Sequence, residues 1–128
     1  MSNKIIKTRT DTVFLRSDGI VQIETMDGAD FDYHDAVDAV NAFAQIAGGV
    51  MRPLLLKFEL VKSISREARG YLSSEAPAKY TNACAILTNS PIGRVIGNFL
   101  IGLNKTIYPT RLFNTEEEAI EWLKNFKI

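Results

Sequence analysis

The stretch that most constrains this chain is Thr81–Leu103. It joins an apolar run, Ala83-Cys84-Ala85-Ile86-Leu87, to a helix start at Asn89-Ser90-Pro91 and then to Ile92, Val95, Ile96, Phe99, Leu100 and Leu103. A strand without a polar face has no side suited to water. A helix with a broad apolar stripe must lie against something. The two together predict an interior strand covered by a helix, the centre of an α/β domain.

The remaining segments predict the rest of that domain. Thr12-Val13-Phe14-Leu15 and Ile20-Val21-Gln22-Ile23-Glu24 are β-branched runs separated by Ser17-Asp18-Gly19, a hairpin signal. Residues 4–9 either extend the first strand or stay loose. After the turn at Asp27-Gly28-Ala29-Asp30, Asp30 or Asp32 can cap a helix. Its buried face is predicted at Ala36, Val37, Val40, Phe43, Ala44 and Ala47, with Gly48-Gly49 as its stop. Pro53 opens a second apolar run, Leu54-Leu55-Leu56-Lys57-Phe58.

Ser63 or Ser65 can cap a short helix through about Ser74, which Pro77 stops, and a second turn can follow around Ala78-Lys79-Tyr80. Pro91 suits the first position of a helix, where its missing N–H costs nothing. Residues 106–113 read as a last strand. Thr115-Glu116-Glu117-Glu118 fits a capping box before Ala119, Ile120, Trp122, Leu123 and Phe126. The order ββαβαβαβα implies a largely parallel sheet, with an antiparallel N-terminal pair and about four helices.

Residues 1–128 are expected to form a single domain. Fifteen basic and fifteen acidic residues leave no net charge, which argues against nonspecific nucleic-acid binding. The one cysteine, Cys84, falls within an apolar strand and reads as a small buried hydrophobe. No signal-peptide run opens the chain, and no segment approaches the roughly 20 apolar residues of a membrane span. A cytoplasmic protein is the expectation.

The element order, together with Pro109-Thr110-Arg111-Leu112-Phe113 and Glu117-Glu118-Ala119-Ile120-Glu121-Trp122-Leu123, resembles the small bacterial STAS/CRAL-TRIO-like proteins, also called SpoIIAA-like. Asn89-Ser90-Pro91 through Asn98-Phe99-Leu100 is similar to their third helix. The resemblance runs from about residue 12 onward, and it rests on core and cap residues. It implies the fold, and with it a non-catalytic regulatory or partner-binding domain or, alternatively, a lipid-binding module of CRAL-TRIO type. In the STAS antagonists of anti-sigma factors a serine is phosphorylated within Ile-Asp-Ser-Ser-Gly. Here Ile64 matches, but Ser65 replaces the aspartate, Arg66-Glu67 the serine pair and Ala68 the glycine. The phosphorylation switch therefore does not transfer residue by residue.

Two candidate sites stand out. Lys62, Ser63, Ser65, Arg66 and Arg69 lie at a helix start, where cations and free N–H groups could receive an anion or a protein partner. The competing reading is a solvated face paired with Glu59, Glu67 and Glu75, with the serines as caps. Ile92, Ile96, Phe99, Leu100 and Leu103 offer an apolar ligand or dimer surface, to which Tyr108 adds. Core packing is the competing reading, and Gly93, Gly97 and Gly102 read as close-packing positions on the same helix.

His34 with Asp30, Asp32 and Asp35 suggests a metal site, but the spacing lacks that of an EF-hand loop, and acids suit a helix start without metal. A single histidine without a nucleophile elbow leaves no catalytic triad. No enzyme activity, cofactor or metal is expected.

Overall fold

The computed structural model describes residues 4–58, 61–104 and 108–126; at 99, 100, 103 and 104 only the backbone is described. The elements in chain order are β1 (Ile5–Lys7), β2 (Asp11–Leu15), β3 (Val21–Thr25), β4 (Asp30–Phe31), α1 (Tyr33–Ala47), β5 (Arg52–Lys57), β6 (Ser63–Ile64), α2 (Arg66–Leu72), α3 (Glu75–Ala78), β7 (Thr81–Leu87), α4 (Pro91–Asn104), β8 (Thr110–Phe113) and α5 (Glu116–Leu123). A six-stranded sheet runs β1-β2-β3-β5-β7-β8, and β4 and β6 form a separate parallel pair. The first three strands are antiparallel, and β3, β5, β7 and β8 are parallel.

This is the mixed α/β sheet expected. Two differences concern its margins. Residues 4–9 supply their own edge strand, with Ile6 opposite Val13. The helix after Ser65 ends at Leu72, near the expected Ser74, and a further short helix, α3, follows earlier than the expected second turn, with Pro77 inside it.

The β5 and β7 runs lack alternation because each strand is covered on both sides. Cys84 and Ile86 join the core with Val13, Ile23, Phe43 and Leu54. Ala83, Ala85 and Leu87 join the opposite core with Ile20, Leu55, Ala119 and Leu123. All five residues 83–87 are buried. The first face carries α1 and α4, and the second carries α5.

Local chemistry sets the helix ends. Asp32 caps α1, and Asp35 returns a bond to the Asp32 amide, a reciprocal box. Gly48 closes α1 at φ 67°, in the left-handed region that glycine enters freely. The buried face of α1 also includes Ala39, Ala42 and Ile46, while Val37 and Ala44 are only half-buried, so it is rotated from the expected stripe.

The stripe on α4 is corrected more strongly. Ile92 and Val95 were expected to lie against the sheet, yet they are 51% and 70% exposed. Gly93 and Gly97 take the sheet side. A Cβ at Gly93 would stand 2.1 Å from Thr88 Oγ1, and one at Gly97 would stand 2.7 Å from Leu112 Cδ1. The helix thus approaches through its small residues, and the bulky ones beside them turn outward. Gly102 has open space instead, so the close-packing reading holds for two of the three glycines.

These contacts separate the glycines energetically. Thr88 is fully buried and short, so it cannot swing clear of a methyl group at 93. Gly93→Ala should destabilise by about 1–3 kcal/mol through overpacking. Gly102→Ala should stabilise by about 0.5–1 kcal/mol, because alanine loses less entropy in a helix. Urea unfolding of the two variants checks the opposite signs.

Candidate functional site

On the first face α1 rests mainly over β1, β2 and β3, and α4 rests over β8. The strip between them, over β5 and β7, carries Leu54, Leu56, Cys84 and Ile86. Above it lies a cavity of about 80 Å³. Ala39, Val40 and Phe43 of α1 bound it on one side and Ile96 of α4 on the other. Phe31 of β4, Ile64 of β6 and Leu72 of α2 also line it. The small β4–β6 pair is therefore the roof of the cavity. Ser63 Oγ donates to Asp30 Oδ1 at 2.6 Å across that pair. The Arg9 guanidinium donates to the Asp30 carbonyl at 2.8 Å.

The lining is largely apolar; Asp11 and Thr25 of β2 and β3 face it on one side of the strip and Thr110 of β8 on the other. Asp11 is buried and accepts from Thr25 Oγ1 at 2.6 Å and Thr10 Oγ1 at 2.8 Å. Burial pushes its carboxyl above the ordinary value, the two hydroxyl bonds oppose the rise, and the nearby Asp35 charge adds to it. Burial also pushes the Cys84 thiol up to about 12. It raises the Tyr108 hydroxyl as well, with Cys84 adding to the effect. Cys84 is therefore a protonated packing group at neutral pH, not a thiolate nucleophile.

Sequence reasoning missed Asp11. The signal was available: in Asp11, Val13 and Leu15 the period of two puts an acid on the core-facing side of a strand. A strand counted from Thr12 leaves Asp11 out.

Arg9 and Asp35 were also missed as a pair. The guanidinium binds the Asp35 carboxylate through two nitrogens. Burial would raise the Asp35 carboxyl, but the Arg9 hydrogen bond, the Asp32 amide and the Arg9 charge outweigh it and hold the group below its usual range. This engages one of the acids suggested as metal ligands. His34 is exposed and lies edge-on to Tyr33 at 5.8 Å.

Lys62 and Arg66 are exposed, and Arg69 is half-buried. Ser65 caps α2 by accepting from the Ala68 amide at 3.0 Å. Ser63 donates to the Asp30 carboxylate, which puts a negative charge beside that hydroxyl. Of the apolar candidates, Ile96 lines the cavity and Ile92 points to solvent. The side chains of Phe99, Leu100 and Leu103 lie outside the described residues. Among the described residues, no helix is long and apolar enough to cross a membrane.

The chain matches the family described as Domain of unknown function (DUF7793) over residues 14–127. It belongs to that family. No curated protein matches the sequence. A solved structure from Shewanella loihica PV-4, an uncharacterized protein of the DUF3478 family with a SpoIIAA-like fold, is similar at a TM-score of 0.60 and 12% identity, covering 95% of this chain and 92% of that one. A protein of unknown function from Arthrobacter sp. FB24 is 30% identical over 88% of this chain and 97% of that one, at a TM-score of 0.35. The fold of this DUF7793 chain is thus SpoIIAA-like, as its sequence implied.

The Arg9–Asp35 pair gives a pH signature. A carboxyl held low in the folded state contributes stability above its unfolded value, about 3.9, and that contribution is lost as pH falls through the folded value. Arg9→Ala should therefore be less stable than the wild type at neutral pH, with the gap closing below about pH 4. Urea midpoints measured at several pH values check this; a constant gap would count against the pair.

Proposed function

We propose that this chain is a non-catalytic binding domain that holds a small apolar ligand between its sheet and the α1 and α4 helices. The cavity over Leu54, Leu56 and Ile86 supports this reading: an apolar recess with a few convergent polar groups is the usual form of a ligand site. The non-catalytic part rests on the titratable groups. The sole histidine is exposed on α1, and the sole thiol is buried and held protonated, so no nucleophile–base pair forms between them.

Size narrows the class. An engineered apolar cavity of about 150 Å³ takes benzene. About 80 Å³ fits a body of a few carbons, or the end of a longer chain, rather than a whole acyl tail. Butanol, as a probe, should raise the unfolding midpoint, by about 1.4 kcal/mol at ten times its Kd. Ala39→Leu fills the recess from the α1 side and should remove that response. No shift with butanol, or an unchanged shift in Ala39→Leu, would count against the cavity as the site.

A second reading is a protein partner or a second copy of the chain at α4. It is favoured by Ile92 and Val95 standing outward next to each other on the helix surface. Val95→Glu should then convert an oligomer to monomer on gel filtration at unchanged stability. A wild type already monomeric at high concentration would remove the homodimer.

A further inference from the structure

The described residues bury two carboxylates. Asp35 has Arg9 as its counter-charge. Asp11, 4% exposed, has only hydroxyls: Thr10 on one oxygen and Thr25 on the other. Among the described residues, no cation pairs with it. Hydroxyl bonds restore part of the lost hydration but leave the charge unanswered, and a buried carboxylate without a counter-charge is costly. Among the described residues, no cluster of three acidic, histidine or cysteine groups could hold a metal ion in its place.

Position adds a second observation. Asp11 and Thr25 line the apolar cavity, and they also line a polar cleft at the sheet margin with Lys7, Glu24 and Asp27. They are therefore the wall between the two recesses. A molecule in the cavity that extends a polar end toward the cleft meets the Asp11 carboxylate first.

We infer that the ligand carries an ammonium head, which meets the Asp11 carboxylate at this wall while a short apolar body fills the cavity. The inference rests on the ligand-binding reading above. Each Asp11 oxygen keeps acceptor capacity after its hydroxyl bond, and an ammonium has three donors. A charge-assisted bond there is stronger than the bond an alcohol would make. An anionic head is disfavoured, because Asp11, Asp35, Glu24 and Asp27 stand about the wall, and among the described cations there Arg9 is already on Asp35 and Lys57 on Glu24, with Lys7 at the cleft.

Calorimetry with three probes of one body size tests this: butylammonium, butanol and butyrate, on the wild type and Asp11→Asn. The wild type should bind butylammonium roughly tenfold or more tighter than butanol, and butyrate not at all. Asp11→Asn should keep its affinity for butanol and lose the preference for the amine.

A second readout needs no variant. The carboxyl carbon of Asp11, followed by NMR, should titrate at lower pH when butylammonium is bound, since an adjacent cation favours the ionised form. Butanol should not lower it. Equal affinity for amine and alcohol, or an Asp11 titration that butylammonium leaves unmoved, overturns the head-group inference and leaves the apolar site standing. Failure of all three probes to bind overturns both.

Discussion

The structure depends on the burial of β5 and β7 from two sides at once. A parallel strand has helices on both faces because its crossover connections place them there. Leu54 and Leu56 face one core and Leu55 the other, while Ala83, Ala85 and Leu87 alternate with Cys84 and Ile86. Such a strand cannot shift its register by one residue without moving every side chain to the wrong core, although both cores are apolar. Size decides the register: α5 packs against Ala83 and Ala85, whereas the side bearing Ile86 faces the more open space between α1 and α4.

That asymmetry explains the cavity. On the second face one helix, α5, lies close over small residues and fills its core with Leu123 and Ala119, both fully buried. On the first face two helices divide the sheet, and α4 comes in on glycines. A helix seated through Gly93 and Gly97 brings its backbone close but delivers few side-chain atoms to the space beside it. Ile96 is the described α4 side chain that reaches the cavity. Larger residues at the glycine positions would not fill the gap; they would lift the helix.

The central strands, the hairpin at Gly19 and the caps at Asp32, Ser65 and Thr115 were legible because each has a local cause: an apolar run, a positive φ, a hydroxyl or carboxylate near free amides. The orientation of α4 was not, for a periodic stripe shows which residues share a face but not which face the sheet accepts. There the glycines won, since close approach of the backbone outweighed burying Ile92 and Val95. The β4–β6 pair was also missed. Two-residue strands have no periodicity to read, and their pairing of Asp30 with Ser63 spans more than thirty residues of chain. The basic cluster reads as an anion or partner site from its cations and the free N–H groups of a helix start. Its serines turned out to serve the roof and the α2 cap.

The roof and the wall of the cavity share a set of polar ties. Arg9 binds the Asp30 carbonyl of β4 and the Asp35 side chain of α1, and it lies just before Thr10, which donates to Asp11. The backbone amides of 10 and 11 are in turn held by Thr8 Oγ1, at 3.3 and 3.0 Å. The short β1–β2 connection thus places one cation on the roof and one buried acid at the wall. Charge is not spread evenly between them: Asp35 takes the Arg9 guanidinium, and Asp11 is left with hydroxyls. Had the connection been one residue longer or shorter, the alternation along β2 would have turned Asp11 to the other face and put Thr10 or Thr12 on the cavity side. The acid at the cavity therefore follows from the register of β2 against β3, in which Asp11 stands opposite Thr25, its hydrogen-bond donor.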